Sequence, residues 1–275
     1  MLLNHLFYLA IPLFGLVMGS FLNCIIYRLQ TGESFLKGRS FCPHCRHALS
    51  WQDLIPVFSF LILKGKCRYC QKPISWQYPL VELATGIIFL LIVWNLEFGI
   101  CLEFGIWNLL FYLLISCFLI IIFVYDLKHY IIPDAVIYPA IAIAFLYQLF
   151  RMLNFVNWNL FGIWNVESGI LRPISSAFLA SLFFLAIVFL SQGKWMGLGD
   201  VKLAFLMGLF LGFPNILVAL FLAFFIGAII GIGLIISGKR TLKSEVPFGP
   251  FLITGTFIAL FWGNQITNWY LSLFI

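Results

Sequence analysis

Apolar residues run along this chain in long blocks separated by short polar breaks. Blocks of about 17–25 residues match a bilayer core of roughly 30 Å, so each predicts a transmembrane helix. About eight can be drawn, at approximately 6–27, 79–95, 107–126, 132–150, 174–191, 199–213, 214–236 and 248–271. The sixth is short, and Gly212-Phe213-Pro214 marks a turn into the seventh, so those two read as separate helices or as one bent, re-entrant element. The long polar break is residues 28–78. The pattern predicts an all-α polytopic membrane protein: a first transmembrane helix (1–27), a soluble insert (28–78) and a seven-helix membrane body (79–275).

Composition agrees. With 63% hydrophobic and only 9% charged residues, the chain has too much apolar surface for a soluble fold. Charge then sets orientation through the positive-inside rule. If residues 28–78 face the cytoplasm, alternation puts 127–131, 192–198 and 237–247 there too. Of the 16 basic residues only Arg151 and Arg172 then fall on the other side. The N terminus is predicted outside, and the +6 net charge expresses topology rather than nucleic-acid binding. The first segment has no basic residue ahead of it and Arg28 behind it, the reverse of a secretory signal, so it reads as a retained helix. Asn154–Arg172, rich in Trp, Asn and Gly, reads as an extracytoplasmic loop.

The insert carries Cys42-Pro-His-Cys45 and Cys67-Arg-Tyr-Cys70. Two CxxC pairs at this separation have zinc-ribbon spacing, each pair forming a tight knuckle around a tetrahedral ion. A reducing cytoplasmic location disfavours disulfides among them. The insert also lacks the continuous apolar sequence for a core of its own, which a metal would replace. Short strands and turns around the ion are expected. His44 and His47 lie in the same loop, but four thiols leave them without a needed ligand role. Cys24, Cys101 and Cys117, in or near apolar segments, read as packing residues.

Small residues four apart at Gly15/Gly19, Gly208/Gly212 and Gly227/Gly231 suit close helix contacts in a bilayer. Asn23, one turn beyond Gly19, either bridges helices or sits at the interface.

Of the 10 acidic residues, Glu82, Asp126, Asp134 and Asp200 lie in or at the ends of apolar segments. Ionisable groups there cost about 2.5–3.5 kcal/mol on insertion scales and point to function. Asp126 ends a long apolar run, and Asp200 closes Gly197-Leu198-Gly199-Asp200. The topology brings both to the same side, although only basic residues set it. Two neighbouring carboxyls can divide the labour of hydrolysis, one as general base on water and one as acid, which is aspartyl protease chemistry. The glycines permit close backbone approach, although Asp after a Gly-rich turn also reads as an ordinary helix start. Asp134 after Pro133 reads first as a helix N-terminal residue. Two readings stand for Glu82, pairing with a basic loop residue or supporting the site. His129 lies near enough in sequence to tune Asp126. Intramembrane acids would also suit an ion or proton path in a transporter.

Together these motifs resemble the type IV prepilin leader peptidase family, membrane aspartyl proteases of the GxGD kind, over nearly the whole chain. Gly15-Leu-Val-Met-Gly-Ser-Phe-Leu-Asn-Cys-Ile-Ile-Tyr-Arg28 resembles the family's first helix. The tetracysteine loop follows, with Trp51-Gln-Asp53-Leu-Ile-Pro56 between its pairs. Then come Tyr78-Pro-Leu-Val-Glu82, Asp126 with Ile132-Pro133-Asp134, Gly197-Leu-Gly-Asp200-Val-Lys202-Leu, and Pro247-Phe-Gly-Pro-Phe251. The resemblance implies an inner-membrane enzyme that cuts the basic leader from prepilins or pseudopilins, serving type IV pili or type II secretion. It implies Asp126 and Asp200 as the catalytic pair, with Gly197, Gly199, Lys202, Glu82 and Asp134 in support. It also implies N-methylation of the new terminus with S-adenosylmethionine, for which Asp53 and Glu82 are candidate donor-binding residues. Zinc on Cys42, Cys45, Cys67 and Cys70 would be structural, because four thiolates close its coordination shell. A monofunctional GxGD protease is the nearer alternative, and a zinc-containing transporter the more remote one.

Overall fold

A chain with no water around its backbone must satisfy its peptide groups internally, and here it does so with helices. The computed structural model describes residues 2–34, 38–95, 102–156, 171–193, 196–238 and 246–273. Cys101 and most of the 154–172 segment lie outside them. The described helices are α1 (Leu2–Thr31), α2 (Phe58–Ile62), α3 (Gln77–Asn95), α4 (Leu102–His129), α5 (Asp134–Val156), α6 (Leu171–Ser191), α7 (Leu198–Leu211), α8 (Asn215–Ile236) and α9 (Gly249–Ser272). A single 3-10 turn, Trp51–Leu54, precedes α2.

Six of these (α1, α3, α4, α5, α6 and α8) are long and apolar enough to cross a membrane. Two of the eight expected segments differ. The 199–213 segment is a 14-residue helix, α7, about 21 Å long and short of the roughly 30 Å core. The 248–271 segment is helical as α9 over 24 residues but is not among the six. Helices α7 and α8 are separate, divided by Gly212, whose φ of 67° suits glycine, and by Phe213-Pro214.

The chain forms two compact units, residues 1–121 and 122–275. In the first, α1 packs along α3 through absent side chains. A Cβ on Gly19 would lie 2.6 Å from the Glu82 Cα, and one on Gly15 would lie 2.9 Å from the Gly86 Cα. Asn23 bridges the same pair: its Nδ2 donates to the Tyr78 carbonyl at 3.0 Å, and Gln77 Nε2 donates to its Oδ1 at 3.1 Å. Buried Arg28, near the end of α1, donates to the carbonyls of Ser34, Gly38 and Arg39, drawing in the start of the insert.

In the second unit α7 is held by α5 and α6. A Cβ on Gly208 would run into the Ala177 backbone, and the Ser176 hydroxyl donates to the Gly208 carbonyl at 3.0 Å. Gln148 of α5 donates to the Leu209 carbonyl at 2.7 Å. Helix α9 packs on α8 at Gly255, where a Cβ would meet the Ala219 carbonyl. The Gly227/Gly231 spacing is only half used, since Gly227 faces Phe251 and Gly231 faces open space.

Candidate functional site

In the second unit, α4 ends one turn after Asp126, where Tyr130 turns into the left-handed region (φ 59°) and its N–H caps the Asp126 carbonyl at 2.9 Å. Asp126 itself is buried, at 4% exposure. Asp200 stands in the first turn of α7. Its carboxylate accepts from the backbone N–H of Gly197, the residue that caps the helix, which is half of a capping box. Gly197 offers no side chain to complete the box, and the space where its Cβ would sit is open apart from the Gly199 nitrogen at 3.9 Å. Gly199 has a different reason to be glycine: a Cβ there would lie 3.2 Å from Ile132. The motif is thus both a helix start and an opening beside a carboxylate.

The unit brings the two acids together, with the charge of Asp126 acting directly on Asp200. A third element completes the arrangement. Helix α9 begins at Gly249, whose backbone N–H donates to the Asp126 carboxylate, and a Cβ on Gly249 would lie 2.5 Å from Oδ2. The preceding Phe248 is lodged among aromatic rings, with centroids 5.1 Å from Phe224, 6.2 Å from Phe251 and 6.3 Å from Phe184. Sequence reasoning marked Pro247–Phe251 as a motif without assigning Gly249 a role. A glycine set between Phe and Pro was the available signal.

Asp134 opens α5 and pairs with Lys202 Nζ at 2.6 Å, and the same ammonium lies 4.6 Å from the centre of the Tyr138 ring. This joins the first turns of α5 and α7. The His129 ring lies tilted against Tyr125, centroids 4.5 Å apart, and its buried Nε2 has no hydrogen-bond partner among the described residues.

In the first unit, the four cysteines converge, with every Sγ within 4.8 Å of the others and Cys42 and Cys70 sulfurs 3.9 Å apart. A tetrahedral ion with Zn–S bonds of about 2.3 Å needs sulfurs about 3.8 Å apart, so the set fits such a metal. The knuckles share one construction. Cys42 N–H bonds the His47 carbonyl and Arg46 N–H the Cys42 carbonyl; Cys67 N–H bonds the Lys72 carbonyl and Gln71 N–H the Cys67 carbonyl. Arg46 and Gln71 both take positive φ, and each knuckle is flanked by one isolated antiparallel bridge rather than a strand. His44 and His47 are exposed, and the His47 ring lies against Tyr69.

Asp53 sits between the knuckles with its acceptor sites filled. It receives the Ser50 N–H (3.1 Å) and hydroxyl (2.8 Å), Arg68 Nε (2.7 Å) and the Tyr69 hydroxyl (3.2 Å). Burial pushes its carboxyl up, but these donors together hold it below the usual carboxylate range. Arg68 and Tyr69 belong to the second knuckle, so Asp53 pins that knuckle to the 3-10 turn. Among the described residues Glu82 meets no basic side chain. Its Oε2 accepts the Val57 N–H at 2.7 Å, with the Ser20 hydroxyl as a further donor. Val57, β-branched and at φ 62°, is strained there.

Residues 13–96 match the bacterial peptidase A24 N-terminal domain, and residues 113–232 match the type IV leader peptidase family. Prepilin leader peptidase/N-methyltransferases are similar along their full length. That of Aeromonas hydrophila is 31% identical, covering 99% of this chain and 97% of the relative. That of Legionella pneumophila is 34% identical, covering 96% and 94%. That of Bacillus subtilis is 30% identical, covering 95% and 96%. No solved structure matches the chain.

Proposed function

The chain belongs to the type IV leader peptidase family, and on that premise we propose that Asp126 and Asp200 are the catalytic pair with which it cleaves the basic leader from prepilins or pseudopilins. The comparisons support cleavage together with N-methylation, rather than transport or a peptidase without methylation. One observation carries the assignment of residues: two acids at the ends of apolar helices are held within electrostatic reach, each accepting a glycine backbone N–H.

The chemistry follows from that pairing. One carboxylate takes a proton from water, whose oxygen attacks the scissile carbonyl, while the other, protonated, donates to the carbonyl oxygen. Collapse of the tetrahedral intermediate breaks the C–N bond, and the leaving amine takes a proton from the pair. Gly249 and Gly197 orient the carboxylates. Lys202 and Asp134 support the site by fixing the first turn of α7 to α5.

The insert and the dyad face the cytoplasm of an inner membrane, with the N terminus outside. This places the dyad on the side where a basic leader would remain while the prepilin's apolar helix stays in lipid. Cys42, Cys45, Cys67 and Cys70 would hold zinc, which would supply a structural cross-link between the two knuckles rather than a catalytic centre. S-adenosylmethionine is the methyl donor. Asp53 and Glu82 stand as its candidate ligands; each is already engaged, so donor binding there would exchange an existing hydrogen bond.

The test is mass spectrometry of a prepilin-like substrate incubated with purified protein, with and without S-adenosylmethionine. Loss of the leader followed by a donor-dependent gain of one methyl group is expected. Asp126→Asn and Asp200→Asn are each expected to abolish cleavage in a protein that still inserts. Normal cleavage by either variant overturns the pair.

A further inference from the structure

The insert carries apolar residues that nothing among its described residues covers. Within α2, Phe60 points inward, its ring 5.0 Å from Trp76 and close over Gly65. Phe58, Leu61 and Ile62 point outward and are 60%, 61% and 74% exposed. Trp51 and Trp76 are also largely exposed. So dense a group on a short polar segment marks an interaction surface.

Where that surface lies is fixed by hydrogen bonds to the spanning helices. Gln77, the first residue of α3, is level with Asn23 of α1, which continues to Thr31, about 12 Å further toward the insert. Glu82 lies five residues into α3 from Gln77, about 7.5 Å in the opposite direction, toward the apolar body. By accepting the Val57 N–H, Glu82 holds the start of α2 below the entrance of α3 rather than above it. The insert therefore doubles back along the flank of its own membrane helices, and the strained φ of Val57 is the backbone cost of that return. Exposed Lys64 and Lys66 follow directly, giving a short apolar face with a basic border. That is the composition of segments that lie in the headgroup and acyl boundary of anionic membranes.

We propose that α2 is an interfacial lipid anchor: Phe58, Leu61 and Ile62 enter the acyl boundary of the membrane the chain spans, while Lys64 and Lys66 meet anionic headgroups. The cysteine-bearing insert is then seated on the bilayer instead of extending freely from it. This rests on the chain being a multi-pass membrane protein and is independent of the catalytic assignment.

The test uses the full chain in nanodiscs of phosphatidylcholine and phosphatidylglycerol. Ile62 is replaced by the fluorescent amino acid acridonylalanine, and in separate proteins Leu61 and, as the water-facing control, His44 are replaced likewise. Lipids brominated in the upper acyl chain should quench positions 62 and 61 at least about twofold more than position 44. Two outcomes overturn the proposal. One is quenching at 61 and 62 no stronger than at 44. The other is emission that bromolipids leave unchanged but an added basic-leader, apolar-helix peptide alters, which would make the face a substrate dock.

Discussion

Gly249 and Asp126 are held so closely that the glycine donates its N–H to the carboxylate and leaves no room for a methyl group, a Cβ there falling 2.5 Å from Oδ2. The carboxylate is bounded by backbone on that side, and the rings around Phe248 keep the backbone in place.

Gly249→Ala should therefore displace Asp126 or move the start of α9. The expected result is a loss of leader cleavage far beyond the stability cost, which overpacking puts at about 1–3 kcal/mol. Cleavage rate and thermal melting of the same preparation check this. A variant that melts early but cleaves normally would reduce Gly249 to packing.

The Lys202–Asp134 pair is half open to solvent, with side chains 27% and 63% exposed. Its coupling in stability should be below about 1 kcal/mol in a double-mutant cycle of Lys202→Met and Asp134→Asn. Cleavage should fall less than in Asp126→Asn. A loss as complete as that of the dyad variants would put Lys202 in the chemistry rather than beside it.

Gly19 and Gly231 make a matched comparison. Gly19→Leu drives a side chain into the α3 backbone and should lower the melting temperature sharply, whereas a Cβ on Gly231 has nothing within 4 Å among the described residues, so Gly231→Leu should leave it nearly unchanged. Equal effects would mean that the α1–α3 contact gives way easily.

Removing the metal should loosen the insert and spare the helices. Chelation, or Cys42→Ser with Cys67→Ser, is expected to unfold the backbone around the already exposed Lys64, Lys66 and Arg68 and so speed tryptic cleavage there, without changing helical circular dichroism. Unchanged cutting would show that the knuckles' backbone bonds suffice without an ion.

Much of this was legible in the sequence because it was written in spacing. CxxC pairs fix a chelate, Gly15 and Gly19 fix a helix face, and Asn23 one turn later reaches the same neighbour. Asp126 and Asp200 stood out because a carboxyl at the end of an apolar helix is costly enough to need a reason. Tertiary pairings left no such trace. Nothing near Gly249 says that its amide meets a residue far earlier in the chain, and nothing near Glu82 names a backbone N–H at Val57 as its partner. Spacing also over-reads: Gly227/Gly231 has the same form as Gly15/Gly19, but its second glycine faces open space. The short run at 199–213 was legible as such: α7 ends at Leu211, where Gly212 turns the chain.

The likeness of the two knuckles has a bearing on how such an insert can change over time. Each is shaped by its own pair of backbone hydrogen bonds, so each presents two sulfurs as a ready-made claw before the other arrives. Joining two rigid claws closes a single loop, and the entropy of that closure grows only with the logarithm of its length, about 0.6 kcal/mol for each doubling. Residues can be added between Ala48 and Lys66 at little thermodynamic penalty, provided Asp53 keeps its reach to Arg68. A single residue added inside either claw would misplace its left-handed turn and spoil both halves at once.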